Sequence, residues 1–201
     1  TQFVRVKNTN STCRILNAGT PQGTRSGPND FKLLINDLSF DIDYAKYVCD
    51  TTVVSVSSDP GDRSLQSAAD RLLEWCVDNH MQINAKKTKE MVIYFGKKFA
   101  KDAVPFVTFT SDQIERVDTF KLLGVMFSSD LSWGPHVLYL LSKVSKRYYL
   151  IFQLARVGVA QHDIILIYCA IIRSVLEYAC AVWHSGLTSA QSNDIERVQK
   201  R

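Results

Sequence analysis

Lys46-Tyr47-Val48-Cys49-Asp50-Thr51-Thr52-Val53-Val54 decides how the rest of the chain is read. Residues 46–48 and 51–56 are rich in β-branched and aromatic side chains, which suit a half-buried pleated surface. Cys49 and Asp50 fall where a two-residue turn belongs, although the pair lacks the glycine or asparagine that a tight hairpin favours. The pattern predicts a hairpin with Asp50 at its tip, pointing into a cleft. A single aspartate at a strand end is ordinarily just a polar surface residue, so a catalytic reading needs support from the flanking sequence.

Upstream, Gly19-Thr20-Pro21-Gln22-Gly23-Thr24-Arg25-Ser26-Gly27-Pro28 holds three glycines and two prolines in ten residues. Such density marks a loop that needs unusual backbone angles or close approach by another group, though most such loops are ordinary surface. Residues 2–7 alternate as a strand, 8–12 are turn material, and 14–16 are the expected hairpin partner. Phe31, Leu33, Leu34, Ile35 and Leu38 predict a short helix with a buried face.

Downstream, Leu65, Ala68, Ala69, Leu72, Leu73, Cys76 and Val77 follow helical spacing, with Gln66, Asp70, Arg71, Glu74 and Asp78 opposite. This stripe needs a sheet to cover, and the candidate strands are 91–95, 104–109 and 120–127. Strands with covering helices predict an α+β layer. After Ser132 the pattern turns helical: 137–154, a short link at Val159-Ala160-Gln161, then 164–183. Asp163 suits the first turn of the second helix, which is apolar on nearly every side and is expected at a bundle centre. Ser189 is a candidate cap for a last helix. A boundary is expected near Ser132, with an α+β piece at 1–132 and an all-helical piece at 133–201.

The chain has 201 residues, 46% hydrophobic and 22% charged, with a net charge of +4. These are the proportions of a globular protein with a real core; the charge permits a nucleic-acid partner without requiring one. Five cysteines (Cys13, Cys49, Cys76, Cys169, Cys180) include no C-x-x-C pair. That argues against a disulfide framework or zinc site and for a reducing intracellular compartment, nucleus or cytoplasm. The first ten residues lack a secretory h-region, and the apolar run 164–172 reads as too short to span a bilayer, so no membrane partner is expected. The sequence begins on Thr and stops within an apparent helix, and is read as a piece of a longer protein.

Lys86, Lys87, Lys89, Lys97, Lys98 and Lys101 form a basic run opposed only by Glu90. Lysines of this kind either protect a strand edge or contact phosphates of a nucleic-acid backbone. Lys143, Lys146, Arg147 and Arg156 are spaced so that most of them could share one helix face, interleaved with Tyr148, Tyr149 and Phe152, aromatics that either stack on bases or fill a core.

Taken in order, these segments resemble the reverse transcriptase of non-LTR, LINE-type retrotransposons, the jockey-like branch in particular. Residues 17–24 look like its P-Q-G loop, Ile35-Asn36-Asp37-Leu38 like the close of the next helix, and 46–53 like its K-Y-V-D-D-T-T-V box. Residues 83–89 resemble the L-N-x-x-K-T motif. Phe120-Lys121-Leu122-Leu123-Gly124-Val125, with Asp130-Leu131-Ser132-Trp133 and His136, resembles the primer-grip strand and thumb entry. Residues 173–179 and 196–201 resemble the thumb signature, so the likeness runs nearly end to end.

The resemblance implies an RNA-directed DNA polymerase: a partial palm, an antiparallel sheet with covering helices, followed by a helical thumb. It implies an RNA template, a DNA primer, and Mg²⁺ ions held by aspartates, two ions roughly 3.5–4 Å apart clamping the attacking and leaving oxygens. It places Pro21, Gln22 and Gly23 beside the template-primer and Lys87 near the incoming phosphates. Leu123 and Gly124 fall against the primer strand, and Lys86, Lys89, Lys97, Lys98, Lys143, Lys146 and Arg147 along the nucleic-acid backbone. A longer polyprotein would supply the fingers, an upstream aspartate and an endonuclease portion.

One local departure stands out: where the family reads Asp-Asp, this chain reads Cys49-Asp50. A thiol ordinarily titrates near pH ~8.5 and prefers soft metals, so Cys49 is a poor magnesium ligand and Asp50 is left as the only acid of the pair. The expectation is a polymerase fragment inactive as it stands. The alternatives are a non-catalytic nucleic-acid-binding module or an unselected genomic relic.

Overall fold

The computed structural model describes residues 3–15, 26–96, 101–110 and 112–200. It mixes helices with short strands, an α+β composition, and the described residues divide into two compact units. The first lies within Thr1–Thr88 and Asp102–Ile114, the second within Lys89–Lys101 and Glu115–Arg201. The expected boundary near Ser132 follows the switch in sequence pattern; the compact units interleave, and the strands just before Ser132 group with the helices.

In the first unit, β1 (Arg5–Val6) pairs with β2 (Thr9–Asn10). The expected partner was 14–16; the hairpin instead closes at once through Lys7, whose φ is +54°. Helix α1 (Gly27–Leu34) starts with Pro28 in its first turn, where a missing N–H costs nothing. Its side chains are mostly exposed, and the buried residues are Ile35, Leu38 and Phe40, just past its end. Strands β3 (Asp43–Tyr47) and β4 (Asp50–Val54) form the expected hairpin, antiparallel with Tyr47 opposite Asp50.

Helix α2 (Ser64–Asp78) is the expected amphipathic helix. Ala68 packs with Leu38 and Phe40, joined by Val53 of the hairpin; Ala69 packs with Phe109 and Ile114. Its cover is therefore the β3–β4 hairpin and β6 (Thr108–Phe109), which pairs with β7 (Asp112–Gln113). Gln66 ties α2 to β6: Thr108 N–H donates to its Oε1 at 2.9 Å, and its Nε2 donates to Thr108 O at 3.0 Å.

In the second unit, β5 (Lys89–Glu90) runs parallel to β8 (Glu115–Arg116), with the Glu90 carboxylate taking two bonds from Arg116. Residues 91–96 extend without strand pairing, contrary to the expected strand there. A single 3₁₀ turn, Lys101–Ala103, follows among the described residues. Strands β9 (Thr119–Leu122) and β10 (Val125–Ser128) form a tight hairpin against α3 (Gly134–Arg156). Val137, Leu140, Val144 and Tyr148 on one face of α3 meet Ile172, Val175, Leu176, Trp183, Ile195 and Val198.

The apolar stretch after Gln161 is not one helix at a bundle centre. It divides into α4 (Gln161–Tyr168), a π-helical turn (Cys169–Arg173), α5 (Ser174–Leu176), α6 (Cys180–Trp183) and a 3₁₀ turn (His184–Gly186). The break falls at Ala179, whose φ of +51° is left-handed. None of α4 is fully buried, and Ile165 and Leu166 are 53% and 65% exposed; its last residue, Tyr168, packs partly buried against the core, and the later turns supply the fully buried side chains. Gln161–Gly186 as a whole is long and apolar enough to cross a membrane by length and composition, further than the run 164–172 alone suggested. It nonetheless carries Arg173 and Glu177 in an ion pair and gives Ile172, Val175, Leu176 and Trp183 to the core. Helix α7 (Ser189–Gln199) is capped by Thr188, one residue before the expected Ser189, in a reciprocal capping box with Gln191.

Candidate functional site

The β3–β4 hairpin is held from beneath by its lysine. Lys46 Nζ donates to the carbonyls of Ile35 at 2.7 Å and Leu38 at 2.8 Å, and more weakly to Asn36 at 3.4 Å. The carbonyls just past α1 thus receive a cation where the helix dipole is negative. Trp75 Nε1 donates to Asp37, tying the Ile35-Asn36-Asp37-Leu38 segment to α2, and Arg71 donates to both carboxylate oxygens of Asp41 just beyond it.

Side chains alternate across a strand. Tyr44, Lys46, Thr51 and Val53 therefore share the packed face, and Asp43, Ala45, Tyr47, Asp50, Thr52 and Val54 the other. The turn is Val48-Cys49, one residue earlier than expected, and Asp50 opens β4 rather than occupying the turn. Val48 has φ +52°, a left-handed conformation that a β-branched residue adopts only under constraint. Cys49 and Asp50 are both exposed. Asp43, the other carboxylate on that face, lies four strand positions away, about 13 Å at ~3.3 Å per residue.

The 83–89 segment makes an Asx-type turn. Asn84 Oδ1 accepts from Lys87 N–H at 3.1 Å, and Asn84 O accepts from both N–H and Oγ1 of Thr88. Asparagine and threonine shape the turn while Lys86 and Lys87 are exposed. Lys89 is ion-paired with Glu115, and Lys101 with Asp118 at 2.6 Å. Lys101 and Ser129 together hold the Asp118 carboxyl below its usual range. Pro21, Gln22, Gly23, Lys97 and Lys98 lie outside the described residues.

At the second hairpin, Leu123 and Gly124 form the turn, with φ of +46° and +90°. Tyr178 closes over it: its hydroxyl donates to Leu123 O at 2.8 Å, and a Cβ at Gly124 would sit 2.9 Å from its ring. On α3, Lys143 is half-buried, Lys146 exposed, and Arg147 donates Nη1 to the Ile171 carbonyl. His136 is fully buried beside Trp133, Tyr139 and Trp183; its Nδ1 accepts from Met126 N–H at 3.2 Å, and burial lowers its pKa.

Residues 1–127 match the family model described as reverse transcriptase (RNA-dependent DNA polymerase). The chain belongs to the reverse transcriptase family. It is 26% identical over 210 residues to the probable RNA-directed DNA polymerase from transposon X-element of Drosophila melanogaster, covering 98% of this chain. It is also 26% identical over 147 residues to the corresponding protein from transposon BS of the same organism, covering 67% of this chain. The chain spans only 22% and 16% of the length of these two relatives. No solved structure matches it significantly.

The reverse transcriptase family generally uses divalent metal ions, which call for converging hard oxygen donors. Among the described residues, no three of His, Cys, Asp and Glu gather closely enough to hold a metal ion. At the hairpin, Asp50 stands with a thiol next to it and the nearest carboxylate on its face about 13 Å away, far beyond the ~4 Å scale of a two-ion clamp. These donors do not fit a paired-magnesium site. Two residues escaped the sequence pattern. Tyr178 acts across 55 positions on the Leu123 turn, and Lys121 faces α3 from a neighbouring strand. Only the lone lysine of an otherwise uncharged β9–β10 hairpin hinted at the second.

Proposed function

We propose that this chain is the palm and thumb portion of a transposon reverse transcriptase, palm at 1–132 and thumb at 133–201, that engages an RNA template and DNA primer without extending them. The exposed pair Cys49-Asp50 carries this reading. A polymerase centre of this family needs hard oxygen donors converging on magnesium, and a soft sulfur donor replaces one of the two expected at the tip. Asp50 retains the metal-facing position, Lys87 the phosphate-facing one and Leu123-Gly124 the primer-facing one. The template-facing role falls to Pro21, Gln22 and Gly23.

Retained binding is supported by α3, which has Lys143, Lys146, Arg147 and Arg156 and no carboxylate along its length. Such one-signed charge suits phosphate contact. Primer extension on an RNA template with Mg²⁺, run on the wild-type chain and on Cys49→Asp, tests the reading. No incorporation by the wild-type chain is expected. Clear incorporation by the wild-type chain overturns the loss of catalysis. Cys49→Asp is also expected to bind Mn²⁺ at the tip, seen as paramagnetic broadening of amides 47–52, more strongly than the wild type.

A further inference from the structure

The outer side of α4 and of the π-helical turn that continues it carries apolar residues without cover. Ile165 and Leu166 are exposed, and Cys169, Ala170 and Arg173 follow on the same side in four-residue steps, all exposed. The inner side is spent on the core, where Tyr168, Ile171 and Ile172 join the buried residues of α3. An apolar helix stripe ordinarily faces another element.

Charge identifies that element. Asp163 stands at one end of the stripe and Arg173 at the other, with nine uncharged residues between them. Their side chains are 51% and 58% exposed, each with a local partner: His162 for Asp163 and Glu177 for Arg173. Arg173 donates its Nε to Glu177, and the rest of the guanidinium fork can meet an incoming carboxylate. An identical stripe laid antiparallel to this one sets Asp163 of each copy against Arg173 of the other. A parallel alignment sets Asp163 on Asp163 and Arg173 on Arg173, and like charges repel. The stripe is therefore self-complementary about a two-fold axis near Tyr168, the geometry of an isologous interface. The same register puts Leu166 of each copy against the small Ala170 of the other, which suits helix axes roughly 8–10 Å apart.

We propose that this stripe is a homodimer interface, in which two copies of the chain pair α4 and its π-helical turn antiparallel about a two-fold axis. One helix face per copy is a small contact, so the dimer belongs to the weak class that dissociates on dilution. A second copy fits the stripe better than an anionic lipid surface, which would repel the Asp163 and Glu177 carboxylates at its two ends. The interface is independent of the template-primer reading.

Analytical ultracentrifugation of the full chain over a concentration series tests it. The weight-average mass of the wild type should rise from 22.7 kDa toward twice that value. Leu166→Asp should hold it at the monomer value. Asp163→Lys and Arg173→Glu should each weaken dimerisation about tenfold, and the two together should restore it. These positions are exposed, so the substitutions leave the core intact. On the wild-type chain, a short bismaleimide should join Cys169 to its two-fold mate, and Cys169→Ser should lose the cross-linked species. A wild-type chain that stays monomeric overturns the interface, as does a dimer that Leu166→Asp leaves unchanged. A double charge reversal no tighter than the single ones, or the absence of a cross-link at Cys169, overturns it too. A monomer that instead pellets with phosphatidylserine vesicles marks a lipid-facing stripe and has the same consequence.

Discussion

Replacing Gly124 with alanine tests whether Tyr178 and the β9–β10 turn are mechanically joined. Two costs arise from the geometry. The first is backbone: at φ +90° an L-residue is disfavoured by roughly 1–2 kcal/mol wherever its neighbours lie. The second is local: the new Cβ would sit 2.9 Å from Tyr178 Cε1, so the ring must swing and its hydrogen bond to Leu123 O is lost. Tyr178 is 53% exposed, which places that bond at the low end of the usual range, about 0.5 kcal/mol. Gly124→Ala should therefore destabilise the second unit by roughly 2 kcal/mol. Urea unfolding followed at the Trp183 indole N–H, which donates to Tyr178 O at 3.0 Å, reports on this unit. In a Tyr178→Ala background the clash is gone, and the same substitution should cost only its backbone share. A double-mutant cycle then shows a coupling of about 0.5 kcal/mol or more. An undiminished cost in that background would refute the joint, and a Gly124→Ala cost below about 0.5 kcal/mol would refute the strain argument as well.

Burial holds the pKa of His136 below its ordinary 6.5, so the folded chain binds fewer protons there than the unfolded chain. The stability this residue contributes is full above pH ~6.5 and declines as pH falls through that value, a dependence that thermal melts between pH 5 and 8 should show and His136→Gln should flatten. Loss from the hydrogen-bonded aspartates falls in a separate, more acidic window, since Asp130 is lowered to about 2 by Ser128 and Ser132. In the first unit, Lys46→Met strips the cation from three carbonyls. A loss of about 1–2 kcal/mol is expected, with faster amide exchange at residues 44–53; unchanged exchange would show that the lysine does not anchor the hairpin.

The hairpin at 43–54 was legible because β-branched and aromatic residues flank a short gap. Its turn was misplaced by one residue because local propensity opposes a left-handed valine at position 48, and distant contacts overrule it. Lys46 reaches the carbonyls past α1, and Val53 enters the core beside Leu38 and Phe40, which together fix the register. The apolar stretch after Gln161 likewise read as helix from its composition. Its break at Ala179 accompanies the Tyr178 contact with the Leu123 turn, a pairing that no window of sequence contains. Lys143 was visible from helical spacing, whereas its companion Lys121 lies on another element and only the folded chain brings them to the Tyr139 ring.

Exposure explains how the hairpin can keep its shape whichever residue stands at position 49. Cys49 lies in the turn, exposed, and contributes nothing to either core cluster of the first unit. Substituting a carboxylate there removes no packing and leaves no buried group unsatisfied, so the fold exerts little pressure on the residue's identity. The opposite holds for Lys46, three positions earlier, whose ammonium is bonded to backbone carbonyls. Loss at position 46 would loosen the hairpin, whereas loss at position 49 alters only which metal donors the tip presents.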